Sequence, residues 1–172
     1  MPEHPHLHHV ATFHIDLAPA IPGGDTPLGQ VDWFGATGGF IKSASPSTHP
    51  QLHLKVLPGG GDYTTAFTEY GAIAVDINIL AQRTVGDTQE LFRFQARGFV
   101  HVNDKIREIL SGDPNATSSE FGEAYIFQTF TCNTSSKDFG WMNFAVLVGQ
   151  GRIVVDQGKV VAAEFRAYEL VN

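Results

Sequence analysis

The chain has 172 residues and a single cysteine, Cys132. No internal disulfide can form, and zinc sites built from several thiolates are excluded. Basic residues are also few: 11 Lys and Arg stand against 18 Asp and Glu, with no basic run, for a formal net charge of −7. Nucleic acid and anionic membrane both require clustered positive charge, so neither is an expected partner. No apolar stretch approaches the roughly 18 residues of a membrane-spanning helix. A basic start followed by an apolar run is missing at the N-terminus, so no signal peptide is read and a cytoplasmic location is expected. The N-x-S/T sequons at Asn115 and Asn133 then read as chance.

The familiar catalytic signatures are absent too. There is no G-x-x-x-x-G-K-[ST], no G-x-G-x-x-G between a strand and a helix, no H-E-x-x-H, no G-x-S-x-G and no C-x-x-C pair. No cofactor and no metal are expected. Four histidines, His4, His6, His8 and His9, crowd the start of the chain. Metal ligands need neighbours that hold them in place, which a loose tail lacks. Residues 1–9 are therefore read as a flexible arm and 10–172 as one domain.

Short strands and hard stops dominate what is present. Strand-like runs are Val10 to Leu17, Val31 to Phe34, Gln51 to Leu57, Ala72 to Leu80, Leu91 to Val102, Ala124 to Cys132, Trp141 to Val148, Ile153 to Asp156 and Val160 to Val171. Pro22-Gly23-Gly24, Gly38-Gly39 and Pro58 to Gly61 read as breaks between them. One helix is expected, Asn103 to Leu110, with Asn103 as its cap and Ile106, Ile109 and Leu110 on one face. Helices do not alternate with strands, which argues against a parallel α/β sheet. Long strands containing glycine suit curvature, and closure removes exposed edges. The expected fold is all-β: one closed or nearly closed antiparallel barrel of about 8–10 strands with a short helix. The 13 Phe residues suit a pocket for a flat or apolar ligand.

Polar residues on apolar strands are the candidates for chemistry. Asp76 and Asn78 interrupt Ile73 to Leu80 at period two and so share a face. On the solvent face they are ordinary; in the lumen Asp76 becomes a desolvated carboxylate suited to proton transfer. Trp141 and Asn143 would share a face in the same way, one stacking and one hydrogen-bonding. Gln128 is a second amide in an apolar strand. The Gly59-Gly60-Gly61 run is either a plain turn or one that brings Asp62 and Tyr63 to a cavity rim. Cys132 in a strand reads as a small core residue.

Several of these residues fall in motifs that resemble one family. Val56-Leu57-Pro58-Gly59-Gly60-Gly61-Asp62-Tyr63 is similar to the V-L-P-G-G-x-D-W signature of a bacterial and fungal family of small β-barrel proteins of unknown function. Thr26-Pro27-Leu28-Gly29 resembles its T-P-x-G, and Gly38-Gly39-Phe40 resembles part of its G-G-x-F-x-G. Asp76 with Asn78 is similar to its D-x-R, Phe127-Gln128-Thr129 to F-R-T, Trp141-Met142-Asn143 to W-L-N, and Val148-Gly149 to V-G. The resemblance spans roughly residues 10 to 171 and implies a barrel with a site inside it. Two family arginines stand here as Asn78 and Gln128. Amides cannot grip a carboxylate as an arginine pair does, so a less cationic pocket and a neutral ligand follow.

Three functional readings result. The first is a cofactor-independent isomerase, cyclase or lyase. It would act on a small hydrophobic, polyketide- or terpenoid-like intermediate, with Asp62 or Asp76 as acid/base. Tyr63, Asn78, Gln128, Trp141 and Asn143 would bind the substrate. The second is a lipocalin-like carrier of a small apolar ligand. The third is an assembly protein whose strands form a homodimer interface. The first two expect the strands bearing Asp76, Gln128 and Trp141 to face one lumen, with the Gly59 to Asp62 turn at its rim; a barrel packed solid, with no cavity, would support the third.

Overall fold

The structure is a computed structural model that describes residues 4–172. Ten strands and one helix make the fold: β1 (His6–Leu17), β2 (Ile21–Thr26), β3 (Gly29–Ser43), β4 (His53–Val56), β5 (Gly61–Phe67), β6 (Ala72–Val85), β7 (Thr88–His101), α1 (Asp104–Leu110), β8 (Ile126–Thr134), β9 (Leu147–Asp156) and β10 (Lys159–Val171). Every strand pairing is antiparallel. Pairing runs β1-β10-β9-β8-β7-β6, continues through β4 and β5 to β3, and returns to β1. The β1–β3 ladder, from Ala11↔Ser43 to Leu17↔Ala36, closes the ring.

Ten strands fill eight positions, because two pairs lie end to end. Both β1 and β2 run along β3, which pairs with β1 through its second half and with β2 through its first. Likewise β4 and β5 together occupy the place between β3 and β6. The break between β4 and β5 is the Pro58 to Gly60 segment. Its backbone is tied into the wall: Ala36 N–H donates to the Gly60 carbonyl (2.7 Å), and Leu57 N–H donates to Leu80 (2.8 Å). It therefore sits mid-wall rather than at a rim. A Cβ on Gly60 would lie 2.2 Å from the Asn78 carbonyl oxygen, so only glycine fits there.

Several expected breaks are strand interior. Gly38 and Gly39 lie within the fifteen-residue β3. Gly39 adopts φ +120°, and an added Cβ would lie 2.0 Å from the His14 carbonyl oxygen. Glycine lets β3 bend there while still pairing with β1. Pro22 to Gly24 lie in β2, which is exposed along its whole length. The N-terminal histidines also differ from expectation: His6 to His9 are strand, laddered against β10 from His6↔Val171 to His9↔Tyr168. Met1 to Glu3 of the expected arm lie outside the described residues. The helix forms as read, with Asn103 Oδ1 accepting from Ile106 N–H (3.0 Å).

Alternation fills the lumen. Val75, Ile77, Ile79 and Ala81 of β6, Phe92, Phe94 and Ala96 of β7, and Phe165 and Ala167 of β10 are all buried. At one end Phe13 meets Phe94 edge-on and Phe130 at a tilt, both at 5.1 Å between ring centroids. Phe139, from the loop after β8, plugs that end against Phe92 (5.9 Å). Cys132 is buried near this end, and burial pushes its thiol up to about 12. It is a core residue rather than a nucleophile.

Candidate functional site

The other end of the lumen is hollow. It holds a cavity of about 280 Å³, at the small end of the range for ligand sites. The C-terminal halves of β1, β5, β7 and β9 reach this end, as do the starts of β3, β6, β8 and β10. Helix α1 lies against it, with Ile106 buried and Leu110 half exposed among the lining residues. Asn103 Nδ2 donates to the Glu123 carbonyl (2.8 Å), tying the helix to the loop before β8.

Leu17, Phe34, Ile73, Val75, Val100, Ile126 and Phe165 supply the apolar wall. Polar residues line the cavity from β3, β5, β8 and β9. Gln30 and Asp32 come from β3, Asp62 and Thr64 from β5, and Gln128 from β8. Opposed residues of an antiparallel pair share a face. Asp32 stands opposite Thr64, and Phe34 opposite Asp62, so the two carboxylates are diagonal neighbours on the inner face.

Asp62 carries the strongest perturbation. Its residue keeps some access through the cavity, but protein surrounds the carboxyl. Burial pushes its pKa up to about 7. A hydrogen bond from the Asp76 backbone N–H to Oδ1 (3.1 Å) works in the opposite direction, and the Asp76 charge adds slightly to the rise. A carboxyl poised near neutrality can both take and give a proton at ordinary pH.

Gln128 is 3% exposed, and its Oε1 has no hydrogen-bond partner. Arg152 is the only cation among the described lining residues. Its guanidinium donates to Glu164 (Nε–Oε2 2.6 Å) and so is already committed.

The structure separates the remaining sequence candidates from this cavity. Asp76 and Asn78 point outward, because Val75, Ile77 and Ile79 take the inner face. The Asp76 carboxylate pairs with Arg97 (2.9 Å), and Asn78 Oδ1 accepts from Arg93 (3.3 Å). Tyr63 is on the outer face of β5, near Trp33. Trp141 and Asn143 are not on a strand at all but in the 3-10 turn Gly140–Asn143. Trp141 stacks on His49 at 3.6 Å, away from the cavity lining. Asn143 accepts from Thr134 N–H (2.8 Å) and donates to the Thr134 carbonyl (3.0 Å), so it secures the end of β8.

Thus Asp62 and Gln128 come together, while Asp76, Tyr63, Asn78, Trp141 and Asn143 lie elsewhere. Sequence reasoning missed Asp32 and Thr64. The signal for Thr64 was present: it follows Asp62 by two residues and shares its face. Asp32 was hidden by Val31 and Trp33, apolar neighbours that here take the outer face.

Comparison with known proteins places the fold in context. The chain is 27% identical to "PR-toxin biosynthesis cluster protein 7" of Penicillium roqueforti over 176 residues, covering 97% of this chain and 93% of that protein. Its fold is similar to a β-barrel-like protein from Acinetobacter baumannii, with TM-score 0.72 and 23% identity over 99% of both chains. It is also similar to an enzyme from Penicillium herquei, with TM-score 0.62 and 16% identity over 99% of this chain and 98% of that one. The profile of the DUF3237 family, proteins of unknown function, matches residues 5–170, and the chain belongs to that family.

Proposed function

We propose that the chain is a cofactor-independent enzyme of secondary metabolism, an isomerase, cyclase or lyase. It would act on a small hydrophobic intermediate held in the hollow end of the barrel. The observation that carries this reading is Asp62, a carboxyl with a pKa of about 7 inside an apolar cavity. As carboxylate, Asp62 takes a proton from the carbon next to a carbonyl, leaving an enolate and a neutral carboxyl. As acid, it returns a proton at that carbon or at another. Gln128 anchors the polar end of the substrate. Phe34, Ile73, Val75 and Phe165 hold its apolar body and exclude water. A relative from a toxin biosynthesis cluster and a fold-mate described as an enzyme support this direction.

The test does not need the natural substrate. 1-Tetralone, a small apolar ketone, is incubated with the protein in deuterated buffer, and exchange of its α-protons is followed by NMR. Catalysed exchange should rise with pH to a plateau, with a midpoint near 7, and should vanish in Asp62→Asn. Binding of the ketone without accelerated exchange would contradict the enzyme reading and leave a carrier.

A further inference from the structure

We propose that the ligand of the hollow end is a neutral molecule whose hydroxyl group donates to Gln128 Oε1. This rests on the reading that the cavity is the functional site. It adds the chemical class of what enters.

Gln128 Oε1 is buried and unpaired, and such groups are rarely left so in folded proteins. The strands that flank Gln128 supply no donor. The residues directly across from Gln128 are Gly98 on β7 and Gly149 on β9. Neither position has room for a side chain. A Cβ at Gly98 would lie 1.9 Å from the Phe127 carbonyl oxygen, and one at Gly149 would lie 2.2 Å from the Phe130 ring. Along β8 the next inward residues are Ile126 and Phe130, both apolar. The cavity that Gln128 lines is the side left open to a donor.

The surroundings narrow its kind. A carboxylate has no proton to give, and it would meet Asp32 and Asp62 with Arg152 already held by Glu164. An ammonium would shed its water beside Ile126 and Phe165 and would then pair with Asp32 or Asp62, which leaves the neutral Gln128 acceptor unmatched. A hydroxyl offers one donor at small desolvation cost, which the single orphaned acceptor matches.

The test compares three probes of one shape: 2-naphthol, 2-methoxynaphthalene and 2-naphthoate, measured by titration calorimetry. The wild-type protein should bind 2-naphthol about tenfold more tightly than the methyl ether, the ordinary worth of one buried hydrogen bond. Naphthoate should bind most weakly. Gln128→Met, close in volume, should bring 2-naphthol down to the affinity of the ether while leaving ether binding intact. Asp62→Asn should keep the discrimination. Equal binding of naphthol and ether by the wild type overturns the hydroxyl assignment but leaves the cavity as a binding site. Discrimination that survives Gln128→Met, or is lost in Asp62→Asn, assigns the hydroxyl elsewhere. If none of the three binds, the cavity reading falls and this inference with it. Should Gln128→Met fail to fold, the wild-type comparison still decides.

Discussion

At one end of the lumen Phe13 meets both Phe94 and Phe130 at 5.1 Å. At the other end, continuations of the same strands present Val75, Val100 and Gln128 and leave about 280 Å³ unfilled. The strands and their alternation are shared, so the difference lies in side-chain volume and in where polar atoms find partners. At the packed end Asn143 is satisfied by the Thr134 backbone on both sides of its amide. The exceptions there are the Trp141 indole nitrogen, whose ring stacks on His49, and His8 Nε2, both buried without a partner. At the hollow end Asp62 and Gln128 face the cavity with little or nothing from the wall to pair with them. The packed end contributes stability; at the hollow end the proposed ligand would supply the partner that Gln128 Oε1 lacks.

The largest expected effect comes from damaging the packed end. Phe94→Ala removes a fully buried ring from the aromatic cluster and should cost about 3–5 kcal/mol. Urea unfolding would show this as a large fall in midpoint. Probe binding at the hollow end should be unchanged in the folded protein; a loss of binding would mean that the two ends are not independent.

A smaller effect of opposite sign is expected at the hollow end. A carboxyl raised from 3.8 to about 7 on folding disfavours the folded state once the unfolded chain ionises. The unfolded state binds fewer protons within this window. Stability therefore falls as pH rises from about 4 to 7 and is level above. Asp62→Asn does not titrate and keeps the Oδ1 acceptor for the Asp76 N–H. It should melt at the wild-type temperature at pH 4 and on the order of a few degrees higher at pH 8. A variant less stable than wild type at pH 8 would contradict the cost assigned to Asp62.

The smallest effect is expected outside the barrel. Asp76→Ala removes an exposed ion pair with Arg97, which contributes at most about 1 kcal/mol. Its backbone N–H still reaches Asp62, so tetralone exchange should keep the wild-type rate. A large loss of exchange would return Asp76 to the chemistry.

The barrel was legible because alternation and turn chemistry are local. Val75, Ile77 and Ile79 declared an inner face, and Asn103 with Ile106 declared a capped helix. Strand continuity was not legible. Gly38, Gly39 and Pro22 are breakers in isolation, but the β1–β3 and β2–β3 ladders hold them in place. The site was half legible for a related reason. Period two shows that Asp76 and Asn78 share a face but not which face it is; Val75 and Ile77 decide that by claiming the interior. Trp141 and Asn143 read as strand from composition, whereas the chain turns there and Asn143 serves the Thr134 backbone. Asp62 was found through its motif, and period two puts Thr64 on the same face; Asp32 emerges only once β3 and β5 are in register.

The claim that the hollow end is built for proton transfer is tested most directly at the Asp62 carboxyl itself. With ¹³C-labelled aspartate, the Asp62 side-chain resonance, assigned by its loss in Asp62→Asn, can be followed from pH 3 to 9. The account predicts a midpoint near 7 that moves when 1-tetralone is added. A midpoint near 4, unmoved by the ketone, would contradict it.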